Sequence, residues 1–259
     1  MKYLRGRLFR LVPVFFVVTF ASFMLMNVLP GDVVDTLLQD DEAQAEDMAE
    51  IRKELILELG LDKPVVVRYF IWLGDLVQGD FGYSLVNDFP VWDQIVSRLP
   101  VTLELLILSQ TLALLIAVPL GVWAAYRVNR GVDRALSMIV FAIVAAPPFV
   151  IAILFVFIFA VTLKWLPAAG YIAFSEDPIE NLKFFILPAT VVGLLEIPIL
   201  MRVLRVDMVA TLQEDYISLA KAKGMSPAYI LFHHAIRPSS FTLITIVGLQ
   251  LGNLISGAV

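Results

Sequence analysis

The 259-residue sequence has no cysteine, only two histidines and few charged residues, 17% of the total. The absence of cysteine excludes a disulfide framework and thiolate chemistry. The two histidines, His233 and His234, are adjacent, and neighbouring helical positions point about 100° apart, so they do not converge on one metal ion. Soluble domains carry about one-quarter charged residues, and the net charge of -5 repels nucleic-acid phosphate. These shortages argue against a soluble domain, a metal site and a nucleic-acid binder.

Apolar residues make up 59% of the chain, and they predict an all-α, polytopic membrane protein. A helix crosses a bilayer with about 20 apolar residues. Five segments of this kind predict the spans 11–29, 103–126, 135–163, 184–201 and 241–259. The first is read as an uncleaved span and not as a signal peptide, because its apolar run is long and further spans follow.

Charge is unevenly distributed along the chain. Residues 31–99 carry a net charge of -10 and the remaining residues a net charge of +5. Basic residues concentrate in cytoplasmic loops, so we expect a cytoplasmic N-terminus, an extracytoplasmic segment 30–100 and a cytoplasmic loop 202–240. The outer segment shows two amphipathic helical patterns, which Gly60 and Gly79 would end. The last apolar run reaches Val259 without a polar flank, so we expect a longer protein with a sixth span.

The segment 213–229 is the most informative part of the sequence. Asp215 suits the N-terminus of a helix, and Gly224 suits the left-handed position after its end. Ser226 and Pro227 then suit the N-cap and first residue of another helix. The pattern predicts two short helices between two spans. Such a helix can enter a partner's groove, but from the residues alone a solvated connecting loop is an equal alternative.

Within this segment, Asp-Tyr-x-x-x-Ala-x-Ala-Lys-Gly-Met at 215–225 resembles the coupling loop of permeases of binding-protein-dependent ATP-binding cassette (ABC) importers. The resemblance is to the dipeptide/oligopeptide/nickel branch. Leu-Pro-Gly-Asp at 29–32, Gly-Asp-Phe-Gly-Tyr-Ser at 79–84 and Gly-Leu-Gln-Leu-Gly at 248–252 extend it along the chain. The sequence departs from the wider family's Glu-Ala-Ala at Ser218 and Leu219.

The resemblance implies that residues 1–259 form one type I ABC importer transmembrane domain in the cytoplasmic (inner) membrane of a bacterium or archaeon. It implies as partners two cytoplasmic ATP-binding subunits, a sister permease, an extracytoplasmic solute-binding protein and membrane lipid. A heterodimer of permeases is favoured over a homodimer. No Gly-x-x-x-x-Gly-Lys-Ser/Thr motif occurs, so we expect no ATP binding, catalysis, metal or cofactor in this chain. ATP and Mg²⁺ would bind to the partner subunits. Short peptides are the first substrate candidate, with nickel chelates or other small solutes as alternatives.

Two groups of candidate site residues follow. The resemblance assigns the contact with the ATPase to Asp215, Tyr216, Ala220, Lys221, Ala222, Lys223 and Gly224. Glu196 lies near the middle of a predicted span, where acids usually face the bundle interior or a water-filled path. It is therefore a pathway candidate, with a hydrogen-bonded structural acid as the alternative. Gln110 and Asn253 are further pathway candidates.

Two other functional classes compete with this interpretation. A membrane-embedded enzyme would need a pair of acids, a His–acid pair or a Ser–base pair at membrane depth, and Glu196 has no obvious partner. A passive channel or secondary transporter predicts uptake without ATP, but it leaves the motif at 215–225 unexplained.

Overall fold

The structure is a computed structural model that describes residues 2–28, 51–53, 56–57, 60–84, 87 and 89–258. These residues are mainly helical, with one isolated β-bridge between Tyr83 and Pro90. The chain divides into two compact units, Met1–Ser97 and Arg98–Val259. The motif at 29–32 and most of the first amphipathic pattern of the outer segment lie outside the described residues.

The first unit contains helix α1 (Lys2–Val28) and helix α2 (Val65–Val77). They meet at Tyr69, which is buried; its hydroxyl lies 2.9 Å from Thr19 Oγ1 and its ring 5.1 Å from that of Phe20. Helix α2 begins after Pro64, and Gly79 follows its end with φ +88°. The predicted end of this amphipathic helix at Gly79 is therefore confirmed.

The second unit contains the long helices. The elements are α3 (Val91–Tyr126, which starts in the first unit), α4 (Gly131–Ala145), α5 (Pro148–Phe155) with a π-helical continuation (Val156–Thr162), α6 (Pro178–Thr211), α7 (Asp215–Ala222), α8 (Pro227–Tyr229), a π-helical segment (Ile230–Ala235) and α9 (Ile236–Ala258). From Pro227 to Ala258 the helix runs on without interruption, so the prediction of a second short helix in the loop is wrong. The hydrophobic pattern of 241–259 marked only the apolar part of a longer helix.

Three described helices are long and apolar enough to cross a membrane: Val91–Tyr126, Pro178–Thr211 and Pro227–Asn253. The bent pair Gly131–Ala145 and Pro148–Thr162 gives at most a fourth. The apolar part of α1, Phe9–Leu25, is a shorter helix. The described residues thus contain three or four candidate spans. This supports a polytopic helical membrane protein, whereas the predicted number of five spans out of six stays a prediction.

The predicted third span is broken by a 95° bend between α4 and α5. Ala146 and Pro147 are both extended there, with ψ of 129° and 135°. A residue that precedes proline is disfavoured in the helical conformation, and Pro147-Pro148 imposes this on two consecutive residues. Pro119, Pro188 and Pro198 stand singly, and each lies inside a continuous helix.

The core of the second unit is built where α3 packs against α6. A Cβ atom placed on Gly193 would lie 2.8 Å from the Ser109 carbonyl oxygen, and one on Gly121 would lie 3.1 Å from that of Met201. Residue numbers increase from the first contact to the second in both helices, from Ser109 to Gly121 in α3 and from Gly193 to Met201 in α6. The two helices therefore run in the same direction. If α3 and α6 are the second and fourth of successive spans that cross the membrane in alternating directions, they must have this shared direction. The core residues include Ala113, Ala117, Ala124, Leu200, Leu204 and Met208.

Candidate functional site

The loop that joins α6 to α8 has a fixed shape. The Met225 N–H donates to the Ala220 carbonyl at 3.2 Å, and the Gly224 N–H to the Lys221 carbonyl at 3.0 Å. With Gly224 at φ +77°, these bonds form a Schellman motif that ends α7. The Ser226 hydroxyl then accepts the Tyr229 N–H at 3.3 Å and caps α8. The predicted positions of Gly224 after a helix end, and of Ser226 and Pro227 at the next helix start, are confirmed.

Helix α7 has one buried face and one exposed face. Ile217 and Ala220 are buried, and they pack with the buried Ile230 and with Leu212. This small cluster attaches α7 to the ends of α6 and of the last helix. The apolar spacing of Ile217 and Ala220, three residues apart, is the sequence pattern that indicates the inner face.

Six of the seven predicted ATPase-contact residues lie on the exposed side of the loop: Asp215, Tyr216, Lys221, Ala222, Lys223 and Gly224. Ala220 is 5% exposed and points inward. A buried methyl group supports the attachment of α7 to the bundle, and the predicted contact of Ala220 with the ATPase stays a prediction. Leu219, absent from the predicted set, is exposed beside Tyr216 and adds an apolar side chain to this surface.

The loop leaves space behind it. A cavity of about 410 Å³ separates it from the ends of α3 and α6 and is lined by Tyr126, Val209, Gln213, Lys221 and Met225, among others. Residues 125–128 and 221–231 therefore lie at one end of the bundle, the loop end. The cavity means that α7 is held by its small apolar cluster and not by dense packing along its whole inner side.

A buried ion pair connects α6 to α4 near the loop end. Arg205 Nε donates to Asp133 Oδ1 at 2.5 Å and Nη2 to Oδ2 at 2.7 Å, a bidentate pair. The Asn129 N–H, at φ +61°, also donates to Asp133 Oδ2 at 2.9 Å. The pair fastens the α3–α4 turn to α6, six residues before α6 ends. The sequence alone does not reveal this pair, because the partners are 72 residues apart and each belongs to an ordinary basic or mixed cluster.

Two further polar contacts hold α6 to its neighbours. Asn181, buried near the start of α6, donates to Glu104 Oε2 of α3 at 3.0 Å and to the Ile172 carbonyl at 2.8 Å. At the other end, Thr211 Oγ1 lies 3.0 Å from Ser239 Oγ of α9. Helix α6 is thus connected to α3, α4 and α9.

The predicted pathway residues fall into two environments. Gln110 is 6% exposed, and neither polar atom of its side chain has a hydrogen-bond partner among the described residues. Glu196 is partly buried, and its Oε2 also has no partner there. Gln110 adjoins Ser109 at the contact with Gly193, so both residues lie at a similar depth of the bundle. Asn253 is exposed on α9 and is not brought together with them by any described contact.

Gln250 of α9 is a polar residue that sequence analysis did not single out. It is 7% exposed, and both polar atoms of its side chain have no partner in the described part of the chain. Helices α6 and α9 run in opposite directions and meet at the Thr211–Ser239 contact. Gln250 follows Ser239 by as many residues as Leu200 precedes Thr211, so the two lie at a similar level. A buried amide is expected to bind water or another polar group. Gln110, Glu196 and Gln250 are therefore polar positions within a largely apolar bundle.

Potential metal-ligating side chains do not gather at one point among the described residues. These residues include no group of three or more His, Cys, Asp or Glu side chains that could hold a metal ion. His233 instead stacks on Tyr229 with ring centroids 4.2 Å apart, inside the π-helical segment that follows α8.

Comparison with known proteins shows which family the chain belongs to. Residues 117–259 match the family described as binding-protein-dependent transport system inner membrane component. Residues 1–106 match the N-terminal membrane component of the same systems. The chain is therefore covered by this family from both ends.

Proteins of similar sequence belong to transport systems of the same kind. The oligopeptide transport system permease protein AppB of Bacillus subtilis is 35% identical over 99% of this chain and 81% of its own. The glutathione transport system permease protein GsiC of Escherichia coli is 33% identical over 100% of this chain and 80% of its own. The di/tripeptide transport system permease protein DppB of Pseudomonas aeruginosa is 30% identical over 100% and 82%. The chain belongs to the inner-membrane permease family of binding-protein-dependent ABC importers.

Proposed function

We propose that this permease forms half of a translocation pathway for short peptides and that separate ATPase subunits drive it through the loop at α7. The three relatives are named for oligopeptide, di/tripeptide and glutathione transport. The substrates in these names are peptides, which supports the same class for this chain. The loop, not the membrane-spanning helices, is where the ATPase acts in this proposal.

The observation that carries the proposal is the shape of α7. It is an eight-residue helix with a Schellman end, an apolar attachment on one face and Tyr216 and Leu219 exposed on the other. Exposed apolar side chains on a rigid, short helix favour insertion into a partner's groove. A force on α7 would reach α6 and α9 directly, because Leu212 and Ile230 hold α7 to both.

The proposed orientation places the loop end in the cytoplasm. Arg127, Arg130 and Arg134 lie in or beside the turn between α3 and α4, and Lys221 and Lys223 lie in the loop. Basic residues accumulate on the cytoplasmic side of membrane proteins. The N-terminus would then be cytoplasmic, segment 30–100 extracytoplasmic, and the chain would use five of six spans.

The remaining components are also proposals. The partners are two ATP-binding subunits that hold ATP and Mg²⁺, a sister permease and an extracytoplasmic solute-binding protein. Gln110, Glu196 and Asn253 are proposed to contact the pathway. For Gln110 and Glu196 the support is polar atoms that have no partner within the described residues.

The docking proposal is tested by replacing Gly224 with Trp in the assembled importer. A Cβ atom at Gly224 meets nothing within 4 Å in this chain. A larger side chain at this position would therefore clash with a docked partner and not with the permease itself. We expect Gly224→Trp to abolish both peptide transport and the stimulation of ATP hydrolysis by the solute-binding protein.

Gly224→Ala is the matched control, because both variants strain the left-handed backbone but only Trp adds bulk. The Ala variant should keep most transport. If the Trp variant transports peptide and stimulates the ATPase as well as the Ala variant does, docking at this position is refuted.

A further inference from the structure

Two neighbouring cavities follow the line where α4 and α5 meet α6, and we treat them together as one groove. Its part nearer the loop end is a cavity of about 280 Å³, lined by Ser137, Phe141 and Arg205 among others. The other part is a cavity of about 390 Å³, lined by Val144, Pro148 and Ile199 among others. Arg202 lines both cavities, so it marks their junction.

Positive charge at this junction is not neutralised by a carboxylate. Arg205 is engaged by Asp133 through two hydrogen bonds. Arg202 is exposed, and its guanidinium lies 5.1 Å from the centre of the Phe141 ring. Among the described residues, no carboxylate lies within ion-pair distance of Arg202. An aromatic face orients a guanidinium without cancelling its charge.

The two ends of the groove are both largely apolar, and they differ in the polar side chains that they add to Arg202. From Arg202 towards Leu195 and Pro148, away from the loop end, the lining side chains are apolar. From Arg202 towards Ser137 and Arg205, the groove gains a hydroxyl and a second guanidinium. The groove therefore complements an amphiphile whose anionic group faces the loop end and whose hydrocarbon chain points towards the middle of the bundle.

We propose that this groove binds an anionic phospholipid of the cytoplasmic leaflet. Its phosphate pairs with Arg202, and one acyl chain lies along Val144, Pro148 and Ile199. Basic pockets between membrane helices on the cytoplasmic side bind anionic headgroups. Free phosphate would use the cation but leave the apolar part of the groove empty. The inference rests on the orientation given under the proposed function.

The test measures lipid retention by native mass spectrometry of the importer assembly purified through this chain. The probe is dioleoylphosphatidylglycerol, titrated after delipidation, with dioleoylphosphatidylcholine as the neutral comparison. We expect Arg202→Gln to weaken phosphatidylglycerol binding about fivefold, as for the loss of one basic residue near an anionic headgroup. Arg237→Gln is the matched control, since Arg237 is exposed on α9 and lines neither cavity.

A second variant tests the apolar half. Ile199→Trp fills the groove without changing charge, and it should also weaken binding. A phosphatidylglycerol with a diazirine in its acyl chain should cross-link to residues 143–148 and 195–203. Monodisperse elution of each variant confirms that the assembly is intact.

The lipid site would be overturned by equal retention in Arg202→Gln and Arg237→Gln, or by cross-links elsewhere. Full competition by excess inorganic phosphate, with no effect of Ile199→Trp, would also overturn it. Cross-linking of a Val144→Cys thiol to the sister permease would also overturn it, by showing that the groove is a subunit interface. The measurement needs neither ATP nor peptide. A failure here therefore leaves the docking proposal standing, and a failure of Gly224→Trp leaves lipid retention unchanged.

Discussion

At the scale of single residues, the glycines of the bundle have different roles that their sequence context conceals. Gly193 and Gly121 allow the backbones of α3 and α6 to approach closely. Gly248 and Gly252, whose spacing predicts a helix-packing face, meet nothing within 4 Å in the described chain. No described residue packs against this face, so its role in helix packing stays a prediction.

We predict that Gly193→Ala destabilises the permease while Gly248→Ala does not. The added methyl group would lie 2.8 Å from the Ser109 carbonyl oxygen, and this atom belongs to backbone that cannot rotate away. Forcing the helices apart should lower stability by about 1–3 kcal/mol. Thermal unfolding of both variants in the same detergent measures the difference. Equal Tm values would refute the close approach of α3 and α6.

Local signals at single residues were predictable from the sequence, whereas distant pairings were not. Gly79, Gly224 and Ser226 act through hydrogen bonds within five residues, so their neighbours in sequence determine them. The inward direction of Ala220 needed the position of Ile230, and the partner of Arg205 is 72 residues away. Nothing in a single sequence assigns such a partner among several acids.

At the scale of helices, α6 is the element that connects the loop to the rest of the bundle. Its contacts to α3, α4 and α9 lie at Asn181, Arg205 and Thr211. Hydrophobic patterning predicted that this helix exists. It did not predict the ten residues beyond 201, because charged Arg202 and Arg205 end the apolar run although the helical backbone continues.

We predict that the Asp133–Arg205 pair makes α4 follow α6 during transport. Arg205→Gln leaves the buried Asp133 carboxylate without its charged partner, and stability should fall by about 2–3 kcal/mol. This is less than for a fully buried pair, because the Arg205 side chain is 25% exposed. Arg205→Lys keeps the charge but loses the bidentate geometry, so its effect should be smaller.

The role of the pair in transport is measured as peptide transported per ATP hydrolysed. We expect this ratio to fall in the order wild type, Arg205→Lys, Arg205→Gln, with assembly unchanged. A merely structural pair would lower the amount of assembled importer and leave the ratio constant. That result would contradict the role assigned to the pair.

At the scale of the whole molecule, the chain is a permease that depends on other subunits. The membrane class and the family were predictable from the sequence, and the family matches confirm both. The solute and the sister permease are selected by contacts with other subunits of the assembly. The sequence of this chain alone therefore does not identify them.

We predict that proteoliposomes with this chain and its sister permease, but without the ATPases, take up no labelled tripeptide above the lipid blank. Addition of the ATPases, ATP, Mg²⁺ and the solute-binding protein should start uptake. A passive channel or secondary transporter would show uptake in the first preparation.

The docking of α7 on an ATPase is tested most directly by labelling a single thiol in the loop. The sequence has no cysteine, so Lys223→Cys gives a chain with one reactive position on the exposed side of the loop. We expect a membrane-impermeant maleimide to label it in inside-out vesicles stripped of ATPase, and rebinding of the ATPase subunits to protect it. Labelling from the outside of intact cells, or a labelling rate that the ATPase subunits do not change, would contradict the account.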